Sequence, residues 1–207
     1  MGVGRYLQLS FRIGKCRVSV SFYFFALLCA ASFFDRTGNL PWGLLAASLH
    51  EAGHLAAMFF IPGNAPEEVS VTPFGMRIER NPLSEFGRGN AFVLAAGSGM
   101  NFLCAAVTFG FLPQFASVSL VLGVLNVLPV EGMDGGGILR IVLEQTFAPG
   151  KAGFLLKIVS YATLAAMLLT GILVLAATGY NVTLIGVTLL LALKGPGKRD
   201  PDFRSGT

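Results

Sequence analysis

Charged side chains are scarce in this chain. They make up 13% of its 207 residues, whereas about a quarter of the residues of a soluble domain are charged. Hydrophobic residues account for 54%, and the mean hydropathy is +0.69. A disordered segment has the opposite composition, polar and highly charged. The composition therefore argues against a water-soluble globular domain and excludes intrinsic disorder.

Cysteine and histidine are scarce as well. The three cysteines, Cys16, Cys29 and Cys104, are an odd number and stand among apolar residues without the close pairing of a metal motif. This pattern predicts no disulfide framework. The chain has two histidines in all, so any site built on imidazole must use them.

Long apolar runs are abundant instead. About 20 apolar residues are needed to cross a bilayer core of roughly 30 Å. We identify six such spans, and so predict an all-α polytopic membrane protein that forms one domain over residues 1–207, with a core at about 15–145 and two accessory helices at 150–194. The predicted spans are 18–34, 42–61, 90–112, 115–147 with a break at 126–137, 152–178 and 181–194.

The basic residues are distributed unevenly around these spans. Six spans put both termini on one side, and of the 15 lysines and arginines only Arg36 falls in a segment on the other side. Cytoplasmic loops of membrane proteins collect Lys and Arg, so we predict a multi-pass protein of the cell membrane with both termini cytoplasmic. This rule also explains the pI of about 9.2. No aromatic and basic patch indicates a nucleic-acid partner.

One organised piece stands in the polar stretch between the second and third spans. Val69 and Val71 alternate with polar residues, Pro73 and Gly75 indicate a turn, and the alternation resumes up to Ile78. Two short alternating runs around a turn predict a β-hairpin, which the charge distribution places at the cytoplasmic face. The alternative is an irregular loop.

Both histidines lie in the second span, as His50 and His54, with Glu51 directly after the first. Histidines four residues apart share one face of a helix and can bind one zinc ion, and the Glu can act as general base on water. A Glu near the middle of a span costs at least about 2.5 kcal/mol on insertion, so these groups are candidates for function. Polar residues that only assist helix packing, with Gly53 permitting close approach, are the alternative, but they do not account for the HExxH spacing.

A catalytic zinc ion needs a third protein ligand and a position left for water. With no histidine left, that ligand should be a carboxylate, and most carboxylates lie in polar segments outside the spans. Glu131 and Asp134 remain, in a segment broken by Pro129 and the glycines at 135–137. Broken helix at membrane depth is tolerated where it lines a cavity or is buried in protein. The residues alone leave both carboxylates open, and a flexible hinge with a solvated Asp is the alternative.

These motifs resemble those of the site-2 proteases, a family of intramembrane zinc metalloproteases. The HExxH of the second span matches, and the segment from Asn126 to Gly136 fits the family pattern N-x-x-P-x-x-x-x-D-G-G. Weaker matches are Pro73-Phe74-Gly75 and the run from Ala96 to Asn101, in which Ser98 stands where the family more often has Pro. The resemblance covers about residues 15–145.

Within the family, the chain most resembles the branch that processes a sporulation pro-sigma factor, because it has six spans and a Pro-Phe-Gly hairpin. The sequence stops after the sixth span. We therefore expect the nucleotide-sensing domain of that branch, and the PDZ domains of other branches, to be absent.

The resemblance implies a site and an activity. His50, His54 and Asp134 would bind one zinc ion (Zn²⁺) per chain, Glu51 would activate water, and Asn126 would hold the scissile carbonyl or the oxyanion. The substrate would be a membrane-tethered protein, such as a transcription-factor precursor or an anti-sigma factor, cut in or near its transmembrane segment. Further partners implied are the lipid bilayer and either an inhibitory membrane protein or a second copy of the chain.

Substrate binding is also predicted for the hairpin. A hairpin can add a strand pairing to an extended substrate, which makes Val69, Val71 and Phe74 candidate substrate-binding residues.

Two other functions stay open at this point. A small ion-coupled transporter or channel would explain the broken helix and its carboxylates, but it leaves HExxH to coincidence. A family member that binds without cutting is the second alternative, and the intact Glu51 and both histidines argue against it.

Overall fold

The computed structural model describes residues 8–13, 16–35, 38–61, 66–72, 75–80, 88–179 and 183–194. This part of the chain divides into two compact units, residues 1–123 and 124–207. The predicted single domain, with its core and accessory helices, stays a prediction. The elements in chain order are β1 (Gln8–Ile13), β2 (Cys16–Ser21), α1 (Phe22–Phe34), α2 (Leu40–Phe60), β3 (Pro66–Thr72), β4 (Gly75–Arg80), α3 (Arg88–Thr108), α4 (Pro113–Val127), α5 (Asp134–Thr146), α6 (Pro149–Thr178) and α7 (Thr183–Lys194).

The first unit contains a four-stranded sheet in the order β1-β2-β3-β4. The pairs β1/β2 and β3/β4 are antiparallel, while β2 and β3 are parallel. Strands β1 and β2 were not predicted from the sequence. The first span was predicted to start at 18, but α1 begins at Phe22. Val18 and Val20 alternate with serines, which is the period of a strand. Ser21 then caps α1 by accepting a hydrogen bond of 3.3 Å from the Tyr23 N–H.

Strands β3 and β4 occupy the segment in which we predicted a hairpin. They pair antiparallel, with Val69 opposite Ile78 and Val71 opposite Met76. Of the predicted turn residues, Pro73 lies outside the described residues and Gly75 is the first residue of β4. Placement of this segment at the cytoplasmic face stays a prediction.

Helix α2 begins where the Asp35 carboxylate meets its first turn. Its two oxygens accept hydrogen bonds from the Asn39 and Leu40 N–H groups, at 3.2 and 2.8 Å. A negative charge at this end stabilises a helix, and Pro41 in the first turn has a ring already set to helical φ. The helix continues for 21 residues to Phe60.

Helix α3 packs closely against α2. A Cβ atom added to Gly53 would lie 2.6 Å from the Ala96 carbonyl oxygen and 2.9 Å from Met100 Cβ. One turn further along α2, Ala57 and Met58 form a buried apolar cluster with Val93 of α3. The close approach depends on glycine, because any larger side chain would meet backbone that cannot turn away.

Large apolar side chains lie on the outside and many polar side chains inside. Five phenylalanines of the first unit are 65–87% exposed: Phe33, Phe59, Phe60, Phe109 and Phe111. Polar side chains buried in the two units include His50, His54, Asn90, Ser98, Asn101, Ser119, Ser160 and Thr188. Exposure of large apolar side chains on this scale suits contact with a membrane or a partner.

Two helices among the described residues, Gly89–Thr108 and Gly150–Thr178, are long and apolar enough to cross a membrane. Helix α2 is about 32 Å long, sufficient for a bilayer core, but carries ionisable groups. Three more apolar helices are shorter: Phe22–Phe33, Pro113–Val127 and Thr183–Ala192. The count of six spans stays a prediction.

The second unit contains the end of α4 together with α5, α6 and α7. Helix α6 ends at Gly179, whose φ of +77° closes the helix in the left-handed conformation that glycine adopts without strain. Helices α6 and α7 approach closely at Gly171, where an added Cβ would lie 2.8 Å from Ile185 Cγ1.

We expect Gly53→Ala to lower the thermal unfolding midpoint of the protein in detergent micelles. Overpacking costs roughly 1–3 kcal/mol, because the Ala96 carbonyl cannot move aside. The matched control is Gly43→Ala in the same helix, since nothing lies within 4 Å of a Cβ at Gly43. Alanine favours helix over glycine, so this control should keep or raise the midpoint. Equal effects of the two substitutions would contradict the close packing.

Candidate metal centre

His50 and His54 lie one turn apart on the buried face of α2. Their side chains are 6% and 7% exposed, and their ring planes are perpendicular. The two Nε2 atoms are 3.1 Å apart. Two imidazoles on one tetrahedral zinc ion would hold their nitrogens roughly 3.3 Å apart. The pair is therefore spaced to bind a single ion.

One face of α3 holds both imidazole rings. Val93, Gly97 and Asn101 recur every four residues along this face. The Val93 carbonyl oxygen lies 2.8 Å from His54 Nδ1, and Asn101 Nδ2 lies 3.1 Å from His50 Nδ1. Gly97 stands between them, and a Cβ there would overlap the His54 ring and come within 2.9 Å of His50 Cε1. The α3 face thus places the Val93 carbonyl and the Asn101 amide within hydrogen-bonding distance of the two rings. The missing side chain of Gly97 leaves the space that the rings occupy.

The Val93 contact decides the tautomer of His54. A carbonyl oxygen only accepts, so His54 must donate its Nδ1–H to Val93, which leaves the lone pair on Nε2. A histidine that binds a metal commonly donates its other ring N–H to a carbonyl in this way. His54 Nε2 is therefore suited to be a ligand atom.

In the second unit, the helix breaks between the end of α4 at Val127 and the start of α5 at Asp134. The Val130 N–H donates a hydrogen bond of 2.7 Å to the Leu128 carbonyl, and Gly132 has a φ of +92°. A positive φ is readily adopted only by glycine. Pro129 and Gly132 therefore account for the predicted break.

Ser160 of α6 fixes the segment between α4 and α5. Its hydroxyl accepts a hydrogen bond of 2.9 Å from the Glu131 N–H and donates one of 3.4 Å to the Pro129 carbonyl. Ser160 is fully buried. One side chain of α6 thus satisfies two backbone groups of a non-helical segment that apolar surroundings would otherwise leave unpaired.

The glycines after Asp134 are required by close backbone approach. A Cβ at Gly135 would overlap the Val127 carbonyl, and one at Gly136 would overlap the Val130 carbonyl. The first turn of α5 therefore lies directly against the preceding segment, and the position of Asp134 at the start of α5 is set by this packing.

His50 and His54 of the first unit and Asp134 of the second unit each offer one atom that could bind a metal ion. Their assembly into one zinc site stays a prediction. Glu131, the other carboxylate that the sequence left open, lies three residues before Asp134 and stays the alternative third ligand. Two nitrogens and a carboxylate oxygen are a donor set found in catalytic zinc sites, which keep a further position for water. The residues present fit zinc.

The other predicted site residues have the following positions. Asn126 is half-buried in the last turn of α4, and its role stays a prediction. Val69 is buried and Val71 is half-buried on β3, while Phe74 lies outside the described residues. Because β3 is paired on both edges, with β2 and β4, a substrate strand cannot add to it, and the predicted pairing would have to use another strand. Substrate contact through the side chains of these three residues stays a prediction.

The contributions of four residues were not predicted from the sequence: Val93, Gly97, Asn101 and Ser160. Gly97 and Asn101 appeared only in a weak motif match without a role. A polar residue within an apolar span is a candidate for function, and this signal would have found Asn101. A backbone carbonyl such as that of Val93 leaves no signal in a sequence.

The fold is similar to that of a solved structure, the Site-2 Protease from Methanocaldococcus jannaschii. The similarity has a TM-score of 0.64, covers 90% of this chain and 92% of that chain, and comes with 21% sequence identity. No protein-family model matches the chain, and no curated protein is significantly similar in sequence. The similarity is one of fold, and the location of this chain in a membrane stays a prediction. The sporulation branch and the absent domains stay predictions.

We expect close to one zinc ion per chain after purification in detergent, measured by elemental analysis. The double variant His50→Ala, His54→Ala should lose most of this zinc, because it removes both nitrogen ligands. Asp134→Asn should also lose zinc, whereas the matched control Glu131→Gln should keep it. Full zinc content in the double variant would refute the assignment, and loss in Glu131→Gln alone would transfer the third ligand to Glu131.

Proposed function

We propose that this protein is an intramembrane zinc metalloendopeptidase of the site-2 type, which hydrolyses a peptide bond in or near a transmembrane segment of a membrane-tethered substrate. The observation that carries the proposal is the buried histidine pair of α2, with its Nε2 atoms 3.1 Å apart and Glu51 beside it. The similar fold, described above at 21% identity, supports it.

The chemistry follows from the donor set. His50, His54 and Asp134 would hold the zinc ion, which when bound would supply Lewis-acid activation of water and of a peptide carbonyl. Glu51 takes the proton from the attacking water and delivers it to the leaving amine. It is half-buried on α2 directly after His50, so its position relative to the two histidines is fixed by the helix.

We assign to Asn126 the role of stabilising the negative charge that develops on the oxygen of the scissile carbonyl. A side-chain amide that donates to the carbonyl oxygen stabilises the oxyanion that forms during attack. Asn126 stands in the last turn of α4, before the segment fixed by Ser160. That segment leads directly to Asp134, so a rigid connection would hold amide and carboxylate at a constant separation.

The substrate class follows from the surroundings of the histidine pair. The exposed phenylalanines of α1, α2 and the α3–α4 connection suit contact with lipid, so a substrate would reach the pair from within the bilayer. A helical amide is shielded by its own hydrogen bonds, so the substrate must unwind locally before it is cut. A transcription-factor precursor or an anti-sigma factor, held by a transmembrane segment, is the substrate that we propose.

The cut is proposed to fall close to the cytoplasmic end of the substrate's membrane segment. His54 lies six residues before Phe60, the last residue of α2, which is about 9 Å along the helix. The distribution of Lys and Arg supports an orientation in which this end of α2 faces the cytoplasm. Cleavage at that depth would release a cytoplasmic fragment.

We expect Glu51→Gln to retain zinc and to lose peptide cleavage by a factor of about 10²–10⁴, the usual contribution of a general base. Gln keeps the size of the side chain but cannot take a proton. Cleavage is measured by co-expression with candidate membrane-tethered transcription-factor precursors, and zinc by elemental analysis of the same preparations.

The matched control for this substitution is Glu144→Gln. Glu144 is paired with Arg140 at 2.8 Å near the surface of α5, so its loss should leave cleavage unchanged. Normal cleavage by Glu51→Gln would remove Glu51 from the mechanism. Ion flux in liposomes without proteolysis by the unaltered protein would favour the transporter instead.

The orientation of the chain can be tested by cysteine labelling. In a variant without the three native cysteines, we expect a membrane-impermeant maleimide to label Asn39→Cys from outside the cell. Glu85→Cys should be labelled only after the membrane is opened. Because the side of cleavage depends on this orientation, the reverse result would place the released fragment outside the cytoplasm.

A further inference from the structure

Asn101 is a fully buried polar side chain in contact with the histidine pair. Its Nδ2 lies 3.1 Å from His50 Nδ1, and its Oδ1 is buried without a hydrogen-bond partner in the part of the chain that the structure describes. A buried amide whose oxygen lacks a hydrogen-bond partner is costly. An apolar residue of the same shape would avoid this cost, which indicates that the amide is required.

The hydrogen bonds around the two rings allow His50 two tautomers. His54 donates Nδ1–H to Val93, so His54 Nε2 can accept from His50 Nε2–H at 3.1 Å. In this first arrangement His50 Nδ1 carries a lone pair and accepts from Asn101 Nδ2–H. In the second arrangement the His50 proton is on Nδ1, and both Nε2 atoms carry lone pairs.

Only the second arrangement is compatible with a metal ion on both Nε2 atoms, because a ligand nitrogen must present its lone pair. His50 Nδ1–H then needs an acceptor. A half-turn of the Asn101 amide exchanges Nδ2 for Oδ1 at the same place and supplies that acceptor. Asn is therefore suited to both tautomers, whereas Asp offers an acceptor only and Leu offers neither.

We propose that Asn101 is a positioning residue for His50, and that its amide turns over as His50 changes from the Nε2–H tautomer to the Nδ1–H tautomer that binds metal. The inference rests on the proposed zinc site. It goes beyond that site because it assigns the switch to a side chain of α3 that is not itself a ligand.

The tautomers can be read by ¹⁵N NMR of histidine-labelled protein in micelles, purified without a histidine tag. The chain has two histidines, so the imidazole region contains signals from two residues only. We expect the chelator-treated protein to show the Nε2–H tautomer for His50 and the Nδ1–H tautomer for His54. With zinc added, both should show Nδ1–H. In chelator-treated Asn101→Asp, His50 should already be Nδ1–H.

Zinc affinity gives a second readout, measured by competition with a chromophoric chelator. Loss of an outer partner of a metal ligand typically weakens binding by about 10–100-fold, which we expect for Asn101→Leu. Asn101→Asp should bind zinc at least as tightly as the unaltered protein. The matched control is Ser98→Ala, which removes another buried polar group of α3 without a partner in the described region and should change affinity only a few-fold.

The two proposals fail in different ways. Normal zinc binding by the unaltered protein, with unchanged affinity in Asn101→Leu and the same His50 tautomer in Asn101→Asp, would overturn the role of Asn101 alone. Absence of zinc binding, with the expected tautomers in the chelator-treated proteins, would overturn the proposed function. If Asn101→Leu does not fold, the tautomer of His50 in Asn101→Asp decides the question.

Discussion

The close contact between the backbones of α2 and α3 is the constraint on which the first unit depends. Gly53 admits the Ala96 carbonyl, and Gly97 admits the two imidazole rings. With these two glycines in place, Val93 and Asn101 come within hydrogen-bonding distance of His54 and His50. A wider separation would lose both hydrogen bonds at once, and the rings would lose the contacts that fix their orientation.

A second constraint is the distribution of polar groups. Apolar surroundings make each buried polar group dependent on a protein partner, and most of those near the histidines have one. Ser98 Oγ, Asn101 Oδ1 and Ser119 Oγ are exceptions in the described part of the first unit. Such groups reduce stability unless another molecule satisfies them. The interior of α2 and α3 therefore keeps polar groups at some cost in stability.

The sequence was sufficient for the features that depend on local spacing. HExxH predicted a histidine pair on one helix face, and α2 carries it; Pro129 and the glycines predicted the break that separates α4 from α5. Strands β1 and β2 were missed because Val18 and Val20 run directly into the apolar residues of α1, so that the strand and the helix read as one span. The pairing of β3 with β2 could not be predicted either, because the two strands are far apart in the sequence.

Long-range contacts explain the remaining differences. The role of Asn101 depends on which helix packs against the histidines, 51 residues away in the chain. The closeness of α3 to α2 follows from two glycines whose significance appears only when both helices are in place. Local propensity carries no information about such pairs, whereas a buried polar residue in an apolar run at least indicates where to look.

The hydrogen bonds of Ser160 have a consequence for the order in which the protein is made. Ser160 comes 29 residues after Glu131 and accepts a hydrogen bond from the Glu131 N–H. The ribosome therefore adds Ser160 well after the segment that Ser160 stabilises. Until α6 has been synthesised and has packed, Pro129 and Glu131 lack this partner. The segment that leads to Asp134 therefore acquires its final shape late in biosynthesis, and a nascent chain that ends before α6 carries the histidines of α2 without a fixed carboxylate segment.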